Sequence, residues 1–77
     1  MSGSRILCVE DDPTLARALG INLRARGYEV DVANTGGQAL RIAADRHPDV
    51  VVLDLGLPDM DGTEVIAGLR GWSTVPI

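Results

Sequence analysis

Ile6-Leu7-Cys8-Val9 stops abruptly at Glu10-Asp11-Asp12, and Val50-Val51-Val52-Leu53 stops at Asp54. Carboxylates that end two buried strands are placed for chemistry on oxygen. If the strands are neighbours, ~4.8 Å apart, Asp11 and Asp54 repel by about 3 kcal/mol at an effective dielectric of 20. That is enough to lift a carboxyl pKa or to demand a cation. The chain contains no Lys to neutralise the pair. Oxygen-only ligands on a rigid turn suit a hard divalent ion that keeps some of its waters, which favours Mg2+ over zinc. Asp12 precedes Pro13 and reads as a helix cap, and Glu10 is open to either a ligand or a loop role.

The elements that must hold these acids follow from the pattern on either side. A run apolar on both faces, such as residues 6–9, suits a strand inside a parallel sheet. Asp12-Pro13 opens a helix whose Leu15, Leu19 and Leu23 recur every four residues, and Gly27 ends it in the left-handed position. Residues 28–33 alternate around Val30 and Val32 as a second strand nearer the sheet edge. Thr35 with Gln38 forms a capping box for a helix over 36–46 with Ala39, Leu40 and Ala43 inward, and Pro48 prevents its continuation. Residues 50–53 are the strongest strand signal and are expected to be central. Asp61 with Glu64 opens a third helix through Val65, Ile66 and Leu69. Val75-Pro76-Ile77 has the character of a fourth strand's entrance.

Strands alternating with helices imply a doubly wound parallel α/β sheet with right-handed crossovers. Ligands bind such sheets at the carboxyl ends of the strands where the winding reverses. With the first strand between the second and third, that point carries Glu10, Asp11 and Asp54. Residues 1–4 are expected to be disordered, and residues 5–77 to form one partial domain.

Composition narrows the function further. Hydrophobic residues make up 45% of the chain, yet there is one Tyr, one Trp and no Phe, so the core must be aliphatic. A net charge of -4 opposes a phosphate-neutralising surface, so no nucleic-acid binding is expected of this segment. One cysteine excludes an internal disulfide, and no stretch is long and apolar enough for a signal peptide or membrane span, which makes the cytoplasm the expected setting.

Residues 9–13 (Val-Glu-Asp-Asp-Pro), 49–54 (Asp-Val-Val-Val-Leu-Asp) and 57–62 (Leu-Pro-Asp-Met-Asp-Gly) together resemble the receiver domain of two-component response regulators. Residues 54–62 and 68–77 are similar, more narrowly, to the KdpE-type regulators of the OmpR class. The resemblance implies a flavodoxin-like (CheY-like) fold, here βαβαβα plus the start of strand four. It implies a phosphoacceptor module and not an enzyme, with Asp54 taking the phosphoryl group from a sensor histidine kinase. It further implies Mg2+ held by Glu10, Asp11, Asp54 and the Gly56 carbonyl, a loop shaped by Pro58, and a parent protein that binds DNA through a separate output domain. The face of the first helix is where receivers resemble one another in meeting their kinase. The family's strand-four Ser or Thr and strand-five Lys have no counterpart in these residues; Ser73 and Thr74 are expected to be loop. The expectation is therefore a truncated receiver impaired in phosphotransfer, whose unpaired strand favours self-association or strand exchange.

Two alternatives stand beside it. Asp59-Met60-Asp61-Gly62-Thr63 reads as the DxDGT signature of haloacid-dehalogenase-like phosphohydrolases, although Pro58 breaks the strand that should precede its first Asp. The other is a structural piece without metal or phosphate chemistry. Cys8 is expected to be inert core, and His47 a solvated turn residue.

Overall fold

The computed structural model describes residues 3–53, 57 and 59–77. In chain order the elements are β1 (Arg5–Val9), α1 (Pro13–Ala25), β2 (Glu29–Ala33), α2 (Gly36–Arg46), β3 (Val50–Leu53) and α3 (Gly62–Arg70). The three strands form one parallel sheet in the order β2-β1-β3. This is the arrangement that puts the winding reversal between β1 and β3.

β1 is the central strand, and among the described strands it alone is buried on both faces, with Ile6, Leu7, Cys8 and Val9 all buried. The register pairs Val9 with Ala33 on one side and Leu53 on the other, so all three strands reach the same level. The opposite end is clamped around Arg5. Its guanidinium meets Asp31 at 3.0 Å and Glu29 at 3.3 Å, while its backbone N–H donates to the Asp49 carboxylate at 2.7 Å. Exposed ion pairs contribute little energy, but these three acids hold both flanking strands in step with β1.

One face of the sheet is closed. Leu7, Val9 and Val51 pack with Ala33, Ala39, Ala43, Leu57, Val65 and Leu69 in a single apolar cluster under α2 and α3. The two helices approach closely at Gly68, where an added Cβ would lie 2.9 Å from Leu40 Cδ2. The other face carries α1, which packs over β1 and β2. Strands alternate their side chains, so Ile6 and Cys8 lie under α1, and their register partners Val50 and Val52 are on the same face of the sheet beyond its reach.

Two expectations need correction. β3 is a flanking strand, not the central one: among the described residues β1 is its only strand partner, and on the outer side the Val51 N–H donates to the Pro76 carbonyl at 2.8 Å. Residues 75–77 thus begin to line up with β3, as the entrance to a fourth strand should. The inward face of α1 is Ala16 and Gly20, with Leu19 and Leu23 half-buried beside them, while Leu15 is 46% exposed. A four-residue repeat advances about 40° per step around a helix with 3.6 residues per turn, so Leu15 falls on the rim. Small residues at the centre let α1 sit close to the sheet.

The helix termini agree with the sequence reading. Asp12 caps α1, Thr35 caps α2 through the Gln38 N–H at 3.1 Å, and Asp61 caps α3 through the Thr63 N–H at 3.0 Å. Gly27 takes the left-handed conformation expected after α1 (φ 90°). At the N-terminus the Gly3 N–H donates to the Gly27 carbonyl and the Ser4 carbonyl accepts from Glu29.

Candidate functional site

The three consecutive acids after β1 are separated by what each does. Glu10 extends the ladder by one bond, its N–H donating to the Ala33 carbonyl at 2.9 Å. Its side chain is buried, the residue being 8% exposed, and the carboxylate accepts the Asp12 N–H at 3.2 Å. Asp12 is committed to α1, its Oδ1 accepting from Thr14 at 2.9 Å and Leu15 at 3.3 Å. Asp11, between them, is exposed. A buried carboxylate needs compensation by hydrogen bonds or a cation, and the turn supplies the first through the Asp12 amide.

Asn34 completes this corner. Its amide nitrogen donates to the Glu10 carbonyl at 3.1 Å, and its own N–H donates to the Gln38 side chain at 2.8 Å. The residue after β2 thus fixes the residue after β1. Sequence reasoning passed over Asn34, and the only signal for it was an amide side chain beside the Thr35 cap.

Two of the four expected ligands, Asp54 and Gly56, lie outside the described residues, as does Pro58. Leu53, which precedes Asp54, pairs with Val9, which precedes Glu10. Among the described residues no group of three or more His, Cys, Asp or Glu side chains is arranged to hold a metal ion. The described pair, Glu10 and Asp11, offers only carboxylate oxygen. Nearby Cys8 offers no soft ligand, because burial first and the Glu10 charge second push its thiol above the ordinary value. A thiol kept protonated inside the sheet neither ligates nor reacts. The donors present fit a hard ion such as Mg2+.

Asp59 is the second residue that the sequence did not reveal in its proper role. Its Oδ1 accepts from the Gly36 N–H at 2.7 Å and its Oδ2 from the Gly37 N–H at 2.9 Å. These bonds, Gly37's first and Gly36's second, hold its carboxyl below the usual value. The signal available was the Gly36-Gly37 pair following a capping Thr, which leaves two bare amides at a helix start. The same geometry removes support from the phosphohydrolase reading: Asp59 stands in a loop rather than at a strand end, and both its oxygens are occupied by α2. Asp61, the second acid of that signature, is spent as the cap of α3. His47 is exposed and left-handed (φ 50°) at the end of α2, as a turn residue should be.

A three-stranded parallel sheet in the order β2-β1-β3 with acids at the carboxyl end of its central strand defines a flavodoxin-like α/β module. The model of the response regulator receiver domain matches residues 6–77, and the chain belongs to that family. It is 58% identical over 72 residues to the transcriptional regulatory protein KdpE of Mycobacterium tuberculosis, covering 94% of this chain and 32% of that protein. It is 49% identical over 73 residues to the DNA-binding response regulator MtrA of Mycolicibacterium smegmatis, covering 95% and 32%. The chain thus spans about a third of the length of these relatives, both OmpR-class regulators. Among solved structures it resembles the response regulator TrrA of Thermotoga maritima in complex with Mg(2+)-BeF, with a TM-score of 0.83 and 37% identity over 88% of this chain and 59% of that one. No helix among the described residues is long and apolar enough to cross a membrane.

Proposed function

We propose that this chain is the phosphoacceptor part of a two-component transcriptional regulator, with Asp54 as the acceptor. The observation that carries the proposal is the level register of β1 and β3: Val9 pairs with Leu53, and in the sequence Glu10-Asp11 follows the one and Asp54 the other. A carboxylate oxygen of Asp54 attacks the phosphorus of a phosphohistidine on the kinase. The O–P bond forms as the N–P bond breaks, giving an acyl phosphate and leaving the imidazole nitrogen to take up a proton. Glu10, Asp11, Asp54 and the Gly56 carbonyl are the residues that would hold Mg2+, which when bound offsets the charge of the transferring group. TrrA's complex with Mg(2+)-BeF supports this assignment by likeness.

The proposed kinase surface is the outer side of α1, where Leu15, Arg17 and Ile21 are exposed. DNA binding belongs to the part of the parent protein outside this chain, and the cytoplasm is its proposed location. The exposed Val50 and Val52 of β3 support association with a second copy; sedimentation that shows a monomer at every concentration tested would refute it.

The test of the main reading is acyl-phosphate formation from acetyl phosphate with Mg2+, in the parent chain and its Asp54→Ala and Asp11→Ala variants. Labelling lost in Asp54→Ala, with a raised Mg2+ requirement in Asp11→Ala, is expected. Equal labelling of Asp54→Ala would overturn the assignment, and turnover of p-nitrophenyl phosphate dependent on Asp59 would restore the phosphohydrolase.

A further inference from the structure

We infer that Asp59 is a positioning residue, which sets the acceptor by pinning the β3–α3 loop to the N-terminus of α2. The inference rests on the reading of Asp54 as the acceptor, since Asp54 opens that loop. Residues 54–61 join β3 to α3, and every described position of this segment is anchored. Leu57 is buried in the apolar cluster, Asp59 holds two α2 amides, Met60 packs against the same cluster, and Asp61 caps α3.

The Asp59 anchor is built from both sides. α2 already has its own cap, Thr35, but that hydroxyl serves the Gln38 N–H and leaves the amides of Gly36 and Gly37 for another acceptor. Asp59 supplies one oxygen to each, where the positive end of the helix also favours a negative charge. The glycines are part of the seat. A Cβ on Gly36 would run into Cγ and Sδ of Met60 and approach Val65 Cγ2 at 3.0 Å, and one on Gly37 would sit 3.5 Å from Asp59 Oδ2. Met60 thus occupies the space that a side chain at position 36 would take, whereas a Cβ at position 37 would make only an ordinary contact with Asp59. The anchor thus fixes the described positions, 57 and 59–61, of the segment that connects Asp54 to α3. Displacing a reacting group by about 1 Å costs up to ~100-fold in rate.

The experiment compares the parent chain with Asp59→Ala, Asp59→Asn and Asp54→Ala, at a temperature where circular dichroism shows each fully folded. Amide hydrogen exchange at Gly36 and Gly37 reads the anchor, and the rate of acyl-phosphate formation at saturating Mg2+ reads the acceptor. Asp59→Ala should lose protection at both glycines and slow acceptance on the order of tenfold. Asp59→Asn, with one oxygen left to accept, should fall between. Lost protection with an unchanged rate would overturn the inference and leave the acceptor reading intact. Labelling of Asp54→Ala equal to the parent would overturn both.

Discussion

Val51 and its neighbours Val50 and Val52 are the same amino acid in the same strand, yet Val51 is 1% exposed and the other two 39% and 40%. The difference lies in what covers each face. Val51 points into the cluster closed by α2 and α3, whereas Val50 and Val52 lie on the face where α1 reaches over β1 and β2 only. A strand apolar on both faces is suited to burial on both, but its sequence does not say which helix supplies each half. The closed face therefore buries all three strands, and the open one leaves β3 available for further contact.

The largest expected effect is Val51→Asp, which places an unpaired charge in the closed cluster and should abolish cooperative unfolding by circular dichroism. The milder pair sharpens the comparison. Val51→Ala should lower stability by about 2 kcal/mol in urea titration, and Val52→Ala by less than ~1 kcal/mol. Equal losses would mean that the open face is covered in solution. On the α1 side, Asp12→Ala removes the acceptor for the Thr14 and Leu15 amides and should cost about 1 kcal/mol.

The smallest effect is a pH dependence on the closed side. The carboxyl of Asp59 lies below its ordinary value of 3.8 when folded, because the Gly37 and Gly36 amides bond its charged form. Its contribution is thus fully present above that ordinary value and is lost as pH falls through the depressed one. Thermal melts below about pH 4 should therefore converge for the parent and Asp59→Ala, having differed at neutral pH.

Much of this architecture was legible because it depends on short-range chemistry. Apolar runs ended by acids marked β1 and β3, and Asp12, Thr35 and Asp61 each capped the helix that their side chains could reach within three residues. The family resemblance likewise rested on contiguous motifs. The errors lay where a residue's role depends on a distant element. Leu15 follows the apolar repeat of α1 but falls on its rim. β3 has the composition of a central strand but flanks β1. Asp59 was read with its sequence neighbours, whereas its partners Gly36 and Gly37 are more than twenty residues away.

By itself the sequence determined the order of strands and helices, the caps, the aliphatic core and the placement of acids after the strands, since each follows from backbone preference and local hydrogen bonding. Only the tertiary structure decided the order β2-β1-β3, the burial of Glu10 beside an exposed Asp11, the clamp from Asn34 and the anchor from Asp59. Those depend on which backbone donors and apolar faces meet in space, and a hydrogen bond is indifferent to how far apart its partners lie along the chain.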